Sequence, residues 1–162
     1  DETTIREALE AFPLIETFNV QARPPHDLVV QISERTPVGV VDTGAGFDLV
    51  DGAGVVLSQS AEAPAGYPIV EVPAGPDTPA FRALGTVLRS LPESVRALVT
   101  GASAETPNSV VLQLGGTSTE VLWGSADQSS EKALVLDAAM RVHPPESTTR
   151  YDVSSPDAII IR

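Results

Sequence analysis

Beyond Pro37 the chain breaks into short apolar runs separated by turn residues, and this pattern limits the fold more than any other feature. Runs of four to six residues, rich in valine, isoleucine and leucine, occupy positions 38–41, 47–50, 69–72, 109–114 and 119–123. Such runs are typical of β-strands. Asp51-Gly52 and Gly115-Gly116 separate neighbouring runs, as hairpin turns do. With further strands predicted at residues 54–57, 95–101, 149–153 and 158–161, we expect a mostly antiparallel sheet.

Two helices are predicted within this series of strands. The first, at residues 78–91, has one apolar face that contains Phe81, Leu84 and Leu88, and Pro92 ends it. The second, at residues 131–142, ends before two prolines. Strands with a few inserted helices indicate the α+β class, with two or more helices on one face of the sheet.

The first 36 residues have a different pattern. Residues 3–12 have apolar side chains at helical spacing and stop at Pro13, and residues 15–23 and 28–32 read as two strands joined by a proline-rich turn. A helix and two strands bury little core by themselves. We therefore predict two parts, a small unit at 1–36 and a larger domain at 37–162.

The charge and the cysteine count exclude several classes of function. Twenty-two acidic against ten basic residues give a net charge of -12, which opposes binding to nucleic acid or to anionic lipid. The absence of cysteine excludes disulfides and thiol chemistry. No apolar run approaches the roughly 18 residues of a membrane span, so we expect any membrane anchor to lie ahead of Asp1.

Asp42-Thr43-Gly44 is the segment that most resembles a catalytic site. Aspartic hydrolases use two such loops, whose carboxylates share a proton, and this chain has one Asp-Thr-Gly. A dimer working through Asp42 is one hypothesis. A tight turn that needs glycine is the simpler interpretation.

No other residues indicate catalysis, a metal or a cofactor. His26 and His143 stand beside prolines in predicted turns, without the further ligands that a metal site needs. The glycine-rich turns lack the phosphate-loop pattern. We predict a protein without enzymatic activity, metal or cofactor.

The apolar run at 158–161 has a second interpretation besides a core strand. A β-branched strand at a sheet edge offers unpaired N–H and C=O groups to a partner strand. The sequence leaves open whether this edge is available to a partner or is paired inside the domain.

Ordered segments along nearly the whole chain resemble one family. Residues 27–38, with Thr36-Pro37 between two strands, are similar to the junction of the POTRA domain and the β domain in bacterial division proteins of the FtsQ/DivIB family. Residues 49–57 resemble the first hairpin of the β domain. Residues 121–136, which include Trp123-Gly124 and Lys132, resemble a late strand-to-helix step, and residues 151–162 the closing strands.

The resemblance implies a partial POTRA domain at 1–36, a β domain at 37–162, and a role without enzymatic activity. It implies a scaffold that binds FtsB/DivIC-like and FtsL-like partners and other divisome components, and that regulates septal cell-wall synthesis. It also implies a single-pass membrane protein with this region outside the cytoplasm at the division septum. A POTRA-type chaperone or transport module remains an alternative. We expect the family's first POTRA strand and helix to lie ahead of Asp1.

In this family the partner adds a strand beside the last strand of the β domain. Carried over, this mode predicts main-chain bonding along 158–161, with proline at Ile160 removing a donor that the partner needs. The predicted partner-binding residues are Tyr151, Asp152, Val153, Ser154, Pro156, Ala158, Ile159, Ile160, Ile161 and Arg162.

Overall fold

The structure, a computed structural model, describes residues 2–155 and 157–162. Helix α1 (Glu2–Glu10) is followed by β1 (Ile15–Arg23) and β2 (Asp27–Glu34), which pair antiparallel in a sheet of their own. The other elements are β3 (Pro37–Asp42), β4 (Phe47–Asp51), β5 (Val56–Ser60), β6 (Ile69–Glu71), α2 (Pro79–Ser90), α3 (Glu93–Arg96), β7 (Val99–Ala104), β8 (Val110–Leu114), β9 (Glu120–Gly124), α4 (Ser129–Val142), β10 (Arg150–Ser155) and β11 (Ala158–Ile161).

Strands β3 to β11 form one sheet of nine strands in the order β11-β10-β9-β8-β7-β6-β3-β4-β5. Antiparallel neighbours predominate, as predicted. The pairs β3–β6, β6–β7 and β9–β10 are parallel. Helices α2 and α3 lie in the connection from β6 to β7, and α4 lies in that from β9 to β10, as parallel neighbours require a crossover. The predicted α+β class is confirmed.

Helices α2 and α4 pack on the same face of this sheet. Leu84 of α2 and Leu136 of α4 are fully buried in one cluster with Trp123 of β9 and Tyr151 of β10. The Thr78 side chain caps α2 by accepting a bond from the Phe81 N–H at 3.3 Å. The core therefore lies on one face of the sheet.

The small unit exposes much of its own apolar surface. Leu28, Val30 and Ile32 follow one another on one face of β2, and they remain 52%, 38% and 49% exposed. Among the described residues, no sheet or helix buries this face. A helix and hairpin of this size leave it uncovered, as the sequence indicated. The division of the chain at residue 36 stays a prediction.

Two of the predicted strands begin two or more residues later than predicted. The strand predicted at 95–101 begins with the short helix α3, whose Arg96 donates to the Leu91 carbonyl at 2.8 Å, and β7 starts only at Val99. The strand predicted at 54–57 begins two residues later, because the Asp51 carboxylate holds the N–H groups of Ala53 and Val55 in a turn. Both differences come from bonds to groups outside the predicted strand.

Asp51 connects the small unit with the large sheet. Its buried carboxylate accepts from Arg35 Nη1 at 2.8 Å, and from the N–H groups of Ala53 at 2.9 Å and Val55 at 2.8 Å. Burial by itself raises the pKa of the Asp51 carboxyl. The hydrogen bonds from Arg35 and the two amides lower it by more in sum, so the pKa lies below its usual value.

We expect Asp51→Asn to lower the free energy of unfolding near pH 7 by about 2 kcal/mol, because an amide cannot balance the Arg35 charge. The pKa of Asp51 is lower in the folded than in the unfolded chain. The contribution of Asp51 to the free energy of unfolding is therefore present above the pKa of the unfolded chain. It is lost as the pH falls through the pKa of the folded chain. Urea denaturation should show the two proteins converging in stability as the pH is lowered towards about 3.

The matched control is Asp77→Asn, since Asp77 is fully exposed and its Oδ1 lies 3.9 Å from Arg82 Nη1. We expect the control to unfold like the unmodified chain at both pH values. Equal stability of Asp51→Asn and the unmodified chain near neutral pH would contradict the role given to this carboxylate.

Candidate partner-binding edge

Strand β11 forms one edge of the nine-stranded sheet. It pairs with β10 on its inner side, and no strand in the described part of the chain lies on its outer side. The strand β5 forms the opposite edge. Of the two possibilities that the sequence left open, the topology gives β11 a free outer side.

The register shows which backbone groups of β11 point outward. Arg162 and Arg150 exchange two backbone bonds, each of 3.0 Å, and so form a hydrogen-bonded pair. Such pairs alternate along antiparallel strands. In the next pair, Ile161 with Tyr151, the backbone groups therefore point away from each other, those of Ile161 to the free side of β11 and those of Tyr151 towards β9, whereas the groups of Ile160 and Asp152 face each other.

This register corrects the expectation for Ile160. Its N–H points towards β10, so a proline there removes a bond inside the domain rather than one offered to a partner. Ile161 carries the outward N–H and C=O groups instead. The one-residue difference follows from the alternation of bonds, which the sequence cannot reveal without a register.

Several of the predicted contact residues have buried side chains. Tyr151 and Val153 are 0% and 1% exposed, and the Tyr151 hydroxyl donates to the His143 carbonyl. Ile159 and Ile161 pack partly against the same core. These four side chains support the edge from the face that carries the helices.

The opposite face of this edge presents the accessible side chains. Ile160 is 52% exposed, and with Asp152, Arg162, Leu122 and Arg150 it lines a shallow groove of about 220 Å³. The Asp152 carboxylate accepts from the Ser154 hydroxyl at 2.7 Å and from the Ser154 N–H at 3.0 Å. These bonds hold the pKa of Asp152 below its usual value, so it is charged at neutral pH.

The charges beside the groove are unevenly paired. Arg150 donates to Glu120 at 2.9 Å, and Gln113 donates to Glu120 at 3.1 Å. The bond from Arg150, followed by that from Gln113, lowers the pKa of Glu120. The Arg162 guanidinium has no carboxylate within bonding distance in the described residues. Arg162 makes no ion pair, but its charge helps to lower the pKa of Asp152 across the groove, so the edge offers an apolar side chain beside a cation that is not ion-paired.

Two further predicted residues lie at the facing ends of the two strands, Ser154 near the end of β10 and Ala158 at the start of β11. Ser154 and Ala158 are exposed, and the pairing is irregular between Asp152 and Ser155. Pro156 lies outside the described residues.

Lys132 stabilises the structure behind this edge, a role that the sequence pattern did not reveal. It lies on α4 with its side chain 1% exposed, and Nζ donates to the carbonyls of Trp123 at 3.2 Å and Ser125 at 2.9 Å. Burial lowers its pKa, and Asp127 opposes that shift. The lysine ties α4 to the end of β9, the strand beside β10. The available signal in the sequence was a lysine within a helical run that follows Gly124, the glycine at the end of a strand.

The catalytic alternative finds no support at Asp42. Its exposed carboxylate accepts from the Gly44 N–H at 2.7 Å, and the Thr43 N–H donates to the Gly46 carbonyl at 2.9 Å. Gly44 has φ +75, which favours glycine. The segment is the predicted tight turn, and its carboxylate is used within that turn.

His26 and His143 are both exposed in turns or at a helix end. Within residues 2–155 and 157–162, no group of three or more potential ligand residues could hold a metal ion.

Comparison with known proteins shows which family the chain matches. The family model described as "Cell division protein FtsQ/DivIB, C-terminal" matches residues 39–154, which is most of the chain. The chain belongs to the FtsQ/DivIB family. The match begins within β3 and ends within β10, so it includes both helices of the core.

Named relatives in the FtsQ/DivIB family align with still more of the chain. "Cell division protein FtsQ" of Mycolicibacterium smegmatis is 37% identical over 158 residues, which are 97% of this chain and 46% of that protein. The protein of the same name from Streptomyces bingchenggensis is 34% identical over 143 residues, 83% of this chain and 52% of that protein. The chain thus spans about half the length of these relatives.

A solved structure of this family shows the same fold. The major extracytoplasmic domain of the cell division protein DivIB from Geobacillus stearothermophilus matches with a TM-score of 0.50 at 19% identity. The match covers 67% of this chain and 92% of that domain. None of the helices in the described residues is both long and apolar enough to cross a membrane.

We expect Lys132→Met to lower the free energy of unfolding by about 1–3 kcal/mol, because two buried carbonyl groups lose their donor while the volume is kept. Trp123, the only tryptophan of the sequence, is fully buried beside this site. Its fluorescence provides the readout during urea denaturation.

Lys132→Arg is the companion variant, which keeps the charge but needs more room in a site without exposure. We expect it to be destabilised as well, since overpacking a filled site also costs stability. An unfolding midpoint for Lys132→Met equal to that of the unmodified chain would show that the lysine does not hold the β9–α4 connection.

Proposed function

We propose that this chain is the extracytoplasmic part of a non-enzymatic divisome scaffold, anchored at the septal membrane by a single span outside the chain. It binds FtsB/DivIC-like and FtsL-like division proteins by strand addition at β11, and through them it regulates septal cell-wall synthesis. The observation that carries this proposal is the free outer side of β11 in a member of the FtsQ/DivIB family.

The backbone geometry supports strand addition. Ile161 directs its N–H and C=O groups away from β10, and an added strand would bond to them. Because the buried side chains of Tyr151 and Val153 fix β10, the edge is held in an extended form before a partner arrives. A preformed edge lowers the ordering cost of binding.

The accessible side chains support a partner of defined chemistry. Ile160 offers apolar surface on the groove side, and Arg162 offers a charge that forms no ion pair within the described residues. A segment with an apolar residue near an aspartate or glutamate fits this pair. Main-chain bonds then supply affinity, and the two side chains supply specificity.

Proline variants test the backbone mechanism. We expect Ile161→Pro to weaken binding of a peptide from the extracytoplasmic carboxyl-terminal segment of an FtsB/DivIC-like protein by about tenfold or more, while the domain stays folded. The substitution removes an outward donor and no bond to β10. Isothermal titration gives the affinity, and circular dichroism reports the fold.

Two control variants separate the backbone effect from other effects. Ile161→Ala removes apolar contact but keeps the N–H, so it should weaken binding much less than proline. Ile160→Pro removes an inward donor and should lower the unfolding temperature of the domain. A folded Ile161→Pro protein with undiminished affinity would rule out strand addition at this edge.

A charge reversal tests the side-chain mechanism. We expect Arg162→Glu to weaken binding of the same peptide severalfold, by placing a like charge opposite its acidic residue. Arg23→Glu is the matched control, because it makes the same change in net charge at an exposed position of the small unit. Equal losses in both variants would assign the effect to net charge alone.

A further inference from the structure

A second recessed surface lies away from β11, where the small unit joins the large sheet. Its walls are the link into β3, the loop before β6, the end of α2, helix α3 and the start of β7. We call this surface the junction cleft. Its volume is about 390 Å³, at the lower end of the range for ligand sites, roughly 300–1,000 Å³. Strands β8, β9 and β10 separate β7 from β11.

The floor of the junction cleft is apolar. Val38, Leu88 and Val99 line it, each less than a tenth exposed, and Pro37 and Pro68 lie beside them. A floor of this kind favours one or two bulky apolar side chains over a polar ligand.

The rim carries two guanidinium groups. Arg89, in the last turn of α2, has no carboxylate or hydrogen-bond partner among the described residues. Arg96 donates to the Leu91 carbonyl, and its Nη1 lies 3.8 Å from a Glu93 carboxylate that is 86% exposed. Such a solvated pair contributes little and yields readily to another carboxylate. In a chain with 22 acidic and 10 basic residues, a free cation beside an apolar floor favours an anionic ligand.

The Arg89 guanidinium lies against the backbone of Gly52. A Cβ atom built on Gly52 would lie 3.0 Å from Arg89 Cζ and 3.1 Å from its Nε, so the guanidinium occupies the space that the missing side chain leaves. Gly52 follows β4 in the turn that Asp51 organises. The cation therefore lies close to the turn that follows β4.

Tyr67 adds a hydrogen-bond donor to the rim. It lines the junction cleft with 36% of its surface exposed, and its hydroxyl has no partner within the described ranges. A phenol beside two guanidinium groups can bind a carboxylate together with them.

We propose that the junction cleft binds an acidic segment of a partner protein, with a bulky apolar residue on the floor and flanking carboxylates on Arg89 and Arg96. Tyr67 donates to one of these carboxylates. The charge complementarity favours a peptide of this kind over a second copy of the chain, whose net charge of -12 opposes close approach. The site is independent of strand addition at β11.

The test uses the full chain labelled with ¹⁵N and a blocked hexapeptide with a central Leu-Phe pair between two glutamate pairs. We expect saturable shifts of the Gly66, Tyr67 and Val99 amides and none along β11. A peptide with glutamines in place of the glutamates should bind at least fivefold more weakly. A peptide with glycines in place of Leu-Phe should bind more weakly as well.

Variants then assign the site. Arg89→Ala should weaken binding of the glutamate peptide about fivefold or more. Arg23→Ala, which changes an equally exposed arginine, should leave the affinity for this peptide unchanged. Gly52→Ala keeps every charge but displaces the guanidinium, so it should weaken binding as well. Ile161→Pro should bind this peptide normally, which keeps the outcome separate from the function of β11.

Three results would overturn the proposal. They are no shifts at millimolar peptide, shifts confined to other surfaces, and equal binding by the unmodified chain and a folded Arg89→Ala protein. Equal affinity for the glutamate and glutamine peptides would show that the carboxylates do not contribute to binding, and this result would contradict the proposal as well.

Discussion

The packing of α2 and α4 on a single face of the nine-stranded sheet determines what the rest of the molecule can do. Leu84 and Leu136 meet Trp123 and Tyr151 in one cluster, and alternate residues of β8, β9 and β10 are committed to the core. Side chains alternate along a strand. Burying Tyr151 and Val153 therefore turns Asp152 to the other face. The same alternation, continued into β11, exposes Ile160 and faces the backbone of Ile161 outward.

The distribution of charge follows from this framework. Most of the carboxylates of this acidic chain are solvated, and a few are used internally. Asp51 binds Arg35 and two backbone amides, and Glu120 binds Arg150. Arg89 and Arg162 form no ion pair among the described residues. Arg89 borders the buried apolar floor of the junction cleft, and Arg162 borders the exposed side chain of Ile160. Two separate surfaces of one acidic protein are thus suited to acidic, partly apolar segments.

Much of the fold could be predicted from local patterns. The face of α2 was predicted from the spacing of Phe81, Leu84 and Leu88, and the turn at Gly44 from its glycine. Local patterns failed where a side chain or helix next to the predicted strand decided where that strand begins. The start of β5 depends on the carboxylate of Asp51, and the start of β7 on the packing of α3. The candidate edge was predicted as a segment, but which of its residues are buried was not.

The sequence by itself determined the class of fold, the family resemblance and the place of the last strand, because these depend on short-range periodicity and on ordered motifs. Only the tertiary structure decided that Ile161 rather than Ile160 faces outward, and that Lys132 and Tyr151 are buried. It also brought Arg89, Arg96 and Tyr67 to one rim. Register and burial are relations between segments distant in the chain. A linear pattern specifies each segment but not which atoms of two segments meet.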